Sequence, residues 1–169
     1  MKNTIKVFVL VALTLAAMSV SAQVKLGHIE TQKLIQAMPE WTAAQKTFEE
    51  EQKKVNTELN SLREQFQTKL AEYSEKMKTY SEAMRATTEE ELQGLQQRIQ
   101  RFQETAMAQL EKTQNDLMQP VMEKALNAIK EVGKENGFTY MFDMNAGILY
   151  AAENSQDVLP LVKKKLGLQ

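Results

Sequence analysis

The chain contains no cysteine. Disulfides, thiolate zinc sites and cysteine nucleophiles are therefore excluded. A single histidine, His28, removes most histidine-based metal and catalytic constellations. A lone histidine is better read as a sheet residue than as a ligand. Aromatic residues make up only 7% of the chain, as expected for a protein built from long helices. No Gly-rich phosphate loop, metal-ligand cluster or serine–histidine–aspartate set is present. The expectation is a protein that is not an enzyme, with no catalytic residues, no cofactor and no metal. Charge of one sign is also lacking: the formal net charge is −1, which argues against nucleic acid as a partner. The apolar run Val7 to Ala17 is too short for a comfortable membrane span.

That run has a different reading. Lys2 and Lys6 precede it, and the small residues Val20-Ser21-Ala22 follow it. This is the pattern of a secretory signal peptide over residues 1–22, cut after Ala22. The mature chain then begins at Gln23 and lies in the periplasm, with no cysteine to carry a lipid.

What dominates the rest is a helical stripe from Val55 to Val121. Apolar residues recur at steps of three and four: Val55, Leu59, Leu62, Phe66, Leu70, Tyr73, Met77, Tyr80, Met84, then from Leu92 through Leu95, Ile99, Phe102 and Ala106 to Val121. Such steps place them on one face of a helix. The two halves mirror each other. Met84 pairs with Leu92, Tyr73 with Phe102 and Val55 with Val121, and every pair of positions sums to 175 or 176. That constancy predicts an antiparallel helical hairpin folded near Thr87 and Thr88. Thr87 with Glu90, or Thr88 with Glu91, reads as a capping box at the start of the return helix. Helices of roughly 40 residues would project about 60 Å.

Around the hairpin, Val24 to Glu30 reads as a strand, and Thr31 to Ala37 as a short helix ended by Met38-Pro39. Pro120 is expected to kink or break the return helix. A further helical register, Val121 to Val132, ends at Asn136-Gly137. Phe138 to Asp143 and Ile148 to Ala152 read as a β-hairpin, and Val158 to Leu166 as a closing helix. Three short strands make a poor independent core. Strands from several chains closing a shared body would cover their edges. The fold class is therefore α+β, mainly α: a long antiparallel helical hairpin projecting from a small β body closed by oligomerisation. The divisions are 1–22 signal peptide, 23–40 first part of the body, 41–120 hairpin and 121–169 second part of the body.

In this order of parts the chain resembles the Skp (OmpH-like) family of periplasmic chaperones. The resemblance rests on Lys25-Leu26-Gly27-His28-Ile29, Asn136-Gly137-Phe138-Thr139-Tyr140-Met141-Phe142-Asp143, Gly147-Ile148-Leu149-Tyr150 and Asp157-Val158. It implies a homotrimer with a β-barrel body and three tentacles around a cavity. It also implies ATP-independent holding of unfolded outer-membrane β-barrel proteins. One departure is visible: residues 42–119 carry 11 Lys and Arg against 14 Asp and Glu. That balance argues against charge-steered capture and against membrane lipid contact.

The candidate client-binding residues are Tyr73, Met77, Tyr80, Ala83, Met84, Leu92, Leu95 and Met107, with Pro120 as a hinge. Methionine and tyrosine pack adaptably and recur on promiscuous surfaces. The simplest account of the stripe is the seam between the helices, in which case clients meet flanking residues such as Ala83 and Met107. The competing function is a structural coiled-coil adaptor that bridges envelope components through a patch around Met84 to Leu92.

Overall fold

The computed structural model describes residues 24–148, 150–152 and 155–168. The expected signal peptide and its cleavage point lie outside the described residues. The elements are β1 (Leu26–Ile29), α1 (Thr31–Gln36), α2 (Pro39–Lys76), α3 (Glu82–Glu135), β2 (Tyr140–Asp143), β3 (Gln156–Asp157) and α4 (Leu159–Lys165).

The helical hairpin is present, but it turns at Met77 to Ser81, not at Thr87 and Thr88. Ser81 is the N-cap of α3, and its side chain accepts a hydrogen bond from the Met84 N–H at 3.3 Å. The expected caps do something else. Thr87 and Thr88 lie inside α3 and donate their hydroxyls to the carbonyls of Ala83 and Met84 at 3.0 and 2.8 Å. A threonine that finds an acceptor one turn back has no need to start a helix.

The earlier turn changes the register of the arms. Lys69 pairs with Glu91, Tyr73 donates its hydroxyl to Glu89, and Lys124 pairs with Glu40. Facing positions therefore sum to between 160 and 164, about 14 below the expected value. The stripe is close to a seven-residue repeat, so sliding one helix by two repeats leaves its apolar residues near the same face. Periodicity alone cannot distinguish the two registers.

The core lies at the open end of the hairpin. Ile29, Leu34, Ile35, Met38, Val121, Ala125, Ala128, Ile129, Val132, Val158 and Val162 form one buried cluster. Trp41 packs against it, at the junction of hairpin and body. Pro120 does not break the helix: α3 runs through it, and the buried stripe continues at Val121 and Ala125. Beyond Glu135 the helix closes as the sequence predicts. Gly137 has φ 66°, its N–H bonds to the Lys134 carbonyl, and the Phe138 N–H reaches the Gly133 carbonyl at 2.9 Å. This pair of bonds is the Schellman closure.

Among the described residues the β-hairpin is not found. The sheet has the order β2-β1-β3, and both β2 and β3 run parallel to the central β1. Leu26 faces Tyr140, and His28 lies between Phe142 and Asp157. Residues 148 and 150–152 form no strand, and Leu149 lies outside the described residues. A tight turn joins only antiparallel strands. Here Asp143 folds back on itself instead, accepting from the Asn145 N–H at 3.0 Å and from the Thr31 N–H at 3.3 Å. The second bond gives α1 the cap that Glu30 does not provide.

Two residues at this junction are testable. A Cβ on Gly27 would meet the Phe138 ring at 2.8 Å and Val158 at 3.0 Å. Gly27→Leu is expected to cost about 1–3 kcal/mol by overpacking, read as a lower urea midpoint; an unchanged midpoint would show that the close approach is not needed. Burial pushes the Asp143 carboxyl up, but its hydrogen bonds from Asn145 and Thr31 outweigh this and hold it below the usual carboxylate range. Its contribution to stability is then present above the unfolded value of about 3.9 and lost as pH falls through the folded value. Wild type and Asp143→Asn should differ in thermal midpoint at neutral pH and converge in acid.

Candidate functional site

The hairpin places the eight expected residues in three different settings. Leu92 is 9% exposed and belongs to the seam. Tyr73, Tyr80 and Leu95 are half-buried, and Ala83 is exposed. Met77, Met84 and Met107 are 41%, 53% and 74% exposed. Only part of the set comes together. Tyr73 and Tyr80 pack at 6.4 Å between ring centroids, tilted by 51°. Met77 and Met84 flank the same turn, while Met107 lies far back along α3.

Salt bridges and hydrogen bonds fasten the tip. Lys69 pairs with Glu91, Tyr73 donates to Glu89, and Lys76 pairs with Glu72 at 3.1 Å. The Glu91 partner raises the Lys69 pKa, and the hydrogen bond to Glu89 raises that of the Tyr73 phenol. The charged and hydroxyl ends of these side chains reach solvent, so the pairs orient the tip without adding much stability.

Met107 belongs to a feature that the sequence reading did not identify. Between the arms lies a cavity of about 530 Å³ lined by Val55, Leu59, Phe102, Ala106, Met107 and Leu110. Four side-chain amides, Gln52, Asn56, Gln100 and Gln103, surround this apolar floor, together with Glu104. The expected register opposes Phe102 to Tyr73, whereas the observed one brings Phe102 beside Val55 and Leu59. The clue in the sequence was the amide content: residues 45–119 hold 12 Gln and 3 Asn. Nearer the tip, a more polar cavity of about 480 Å³ is lined by Ser61, Gln65, Thr68, Lys69 and Leu95, among others.

The body has an open apolar face. Leu26, Tyr140 and Phe142 are 50%, 61% and 43% exposed, and the two rings stack at 6.3 Å. The opposite face is covered, with Met141 over Gly133 and Phe138 over Gly27. His28 is half-buried, with Nδ1 at 2.8 Å from the Ser155 hydroxyl. Among the described residues no group of three acidic or imidazole side chains converges as a metal site, and no helix is long and apolar enough to cross a membrane.

A model of the family described as outer membrane protein (OmpH-like) matches residues 25–166. The chain belongs to the OmpH-like family. A solved structure supports the same architecture: the crystal structure of a candidate outer membrane chaperone (OmpH-like) from Caulobacter crescentus CB15 is similar with a TM-score of 0.74. The match covers 83% of this OmpH-like chain and 82% of that one, at 16% sequence identity. At that identity the likeness is one of fold. No curated protein matches this OmpH-like chain in sequence.

The settings of these residues separate seam from surface. Leu62 is 1% exposed, so Leu62→Ala is expected to cost about 2–5 kcal/mol. Met107→Ala should stay within about 0.5 kcal/mol of wild type. Urea denaturation followed by circular dichroism measures both, and equal effects would contradict the assignment.

Proposed function

We propose that this OmpH-like chain is an ATP-independent periplasmic holdase that binds unfolded outer-membrane proteins and prevents their aggregation in transit. The observation that carries this reading is the hairpin itself. It projects far beyond the core and presents exposed methionines and an apolar groove to solvent, where a monomer gains nothing from them. Family membership, and the description of the Caulobacter crescentus relative as a candidate outer membrane chaperone, point the same way.

The mechanism follows from the strength of the contacts. Each exposed methionine or half-buried tyrosine contributes little alone, and methionine adapts to many shapes. Many such contacts hold an unfolded chain collectively. Withdrawing free unfolded client lowers its aggregation by mass action. Release into a more favourable environment then needs no nucleotide.

Residues 1–22 act in this reading as the cleaved signal that places the chain in the periplasm. Residues 23–40 and 121–169 form the body, and 41–120 the tentacle. The body works as a homotrimer. Leu26, Tyr140 and Phe142 form the face that meets neighbouring protomers, where burying each large apolar side chain is worth roughly 1.5–3 kcal/mol. Pro120 is the hinge: it lacks an N–H, so the carbonyl of Asp116 has no helical partner, and the helix bends most easily there. The adaptor alternative has less support, because Leu92 in its docking patch is buried in the seam.

The test removes the arms at facing positions. Replacing residues 50–111 by a short Gly-Ser linker keeps the base and the body. Native mass spectrometry should still find the oligomer. Suppression of aggregation of a urea-unfolded outer-membrane β-barrel should be lost. A truncated chain that still protects the client would show that the hairpin is not the holding element.

A further inference from the structure

The arms carry slightly more acid than base, yet the groove between them is nearly free of charge. It is lined by Val55, Leu59, Phe102, Ala106, Met107 and Leu110 and by the amides of Gln52, Asn56, Gln100 and Gln103, with Glu104 as its one charged group. Gln100 reaches Glu104 at 3.4 Å; no such bond to a described residue involves the other three amides. A side-chain amide has two donors and one acceptor with two lone pairs, and no charge. It matches a peptide group and gives nothing special to a phosphate or a carboxylate.

The dimensions agree. Gln52 to Leu59 spans seven residue steps of α2, or about 10 Å at 1.5 Å per residue. An extended chain covers that length in about three residues. Residues i and i+2 of such a chain point to the same side, so two side chains would enter the groove together. Its volume of about 530 Å³ falls within the roughly 300–1,000 Å³ of ligand-holding cavities.

We propose that this groove is a reading site for unfolded polypeptide in extended form. Apolar side chains at i and i+2 seat on Leu59, Phe102 and Met107, and the amides of Gln52, Asn56, Gln100 and Gln103 hydrogen-bond the client backbone. The proposal rests on the holdase reading and names what it recognises: alternating apolar and polar residues, the pattern of membrane β-strands. Because the bonding groups are neutral, binding is insensitive to salt.

The probe is a capped seven-residue peptide alternating tyrosine or leucine with serine or threonine, carrying a fluorophore. Its anisotropy is followed with the full chain. N-methylation of the peptide backbone should weaken binding about tenfold, since the hydrogen bonds to the groove amides are lost. The Gln52→Glu/Gln103→Glu double variant and Met107→Glu should each do the same, with circular dichroism confirming intact helices. Raising salt from about 50 to 500 mM should change affinity less than twofold. Equal binding of the N-methylated peptide, tighter binding of a peptide with helical apolar spacing, or a steep loss with salt would each overturn the groove assignment. Failure of the groove and failure of the holdase reading separate cleanly. If the variants lose neither peptide binding nor protection of an unfolded β-barrel, the groove is wrong and the holdase stands. If the wild type binds the peptide as described but protects no client, the groove stands and the holdase reading falls.

Discussion

The hairpin depends on how its two helices are held at one end. The lower part of α3 buries Val121, Ala125, Ala128, Ile129 and Val132 against α1, β1 and α4. At the same level Met38 is buried and Pro39 starts α2, so the second helix leaves the body at a set height. With both bases fixed, neither helix can slide along the other. The seven-residue repeat would tolerate a slide of two repeats, about 21 Å of travel, but the core would have to come apart to allow it. Lys124 with Glu40 at the base and Lys69 with Glu91 near the tip report one and the same alignment.

Burial falls off sharply away from that base. The body cluster has 11 buried residues. The arm has four, Ala44, Leu62, Leu92 and Ala106, two of them alanines. Surface ion pairs, screened by water, add little. Local stability therefore declines from body to tip, and the outer arm opens at lower free energy than the core. In the proposed holdase, a surface that fits many unrelated chains benefits from this gradient. Half-exposed methionines, tyrosines and amides can change rotamer or separate slightly without disturbing the part that holds the molecule together.

The sheet shows a similar division of labour. Gly27 of β1 leaves room for Phe138 and Val158, and Gly133 of α3 leaves room for Met141, which draws β2 onto α3. Their other face is left with Leu26, Tyr140 and Phe142 in solvent. Three short parallel strands with one bare apolar face gain little as an isolated unit. An uncovered apolar face is thus built into the body, as exposed methionines are built into the arms.

Local periodicity carried much of this protein. The helical stripe, Asn136-Gly137 at the end of α3, Met38-Pro39 as the stop after α1 and the short closing helix are all legible in sequence, because each depends on neighbours within one or two turns. Seam and surface within the arm were not. Leu92 and Met84 look alike as apolar residues on a stripe, and only the packing of α2 on α3 buries the first and exposes the second. The turn at Met77 to Ser81 prevailed over two good capping boxes because the anchored bases dictate where the arms run out. Pairing was decided by tertiary structure as well. Phe138 to Asp143 and Ile148 to Ala152 have hairpin-like composition, yet β1 lies more than 100 residues away and takes the central place between β2 and β3. The amide-rimmed groove exists only in the observed register. A repeat of seven defines which face of each helix is apolar, but its own symmetry leaves the alignment of the two helices open, and that was settled by the core at their base.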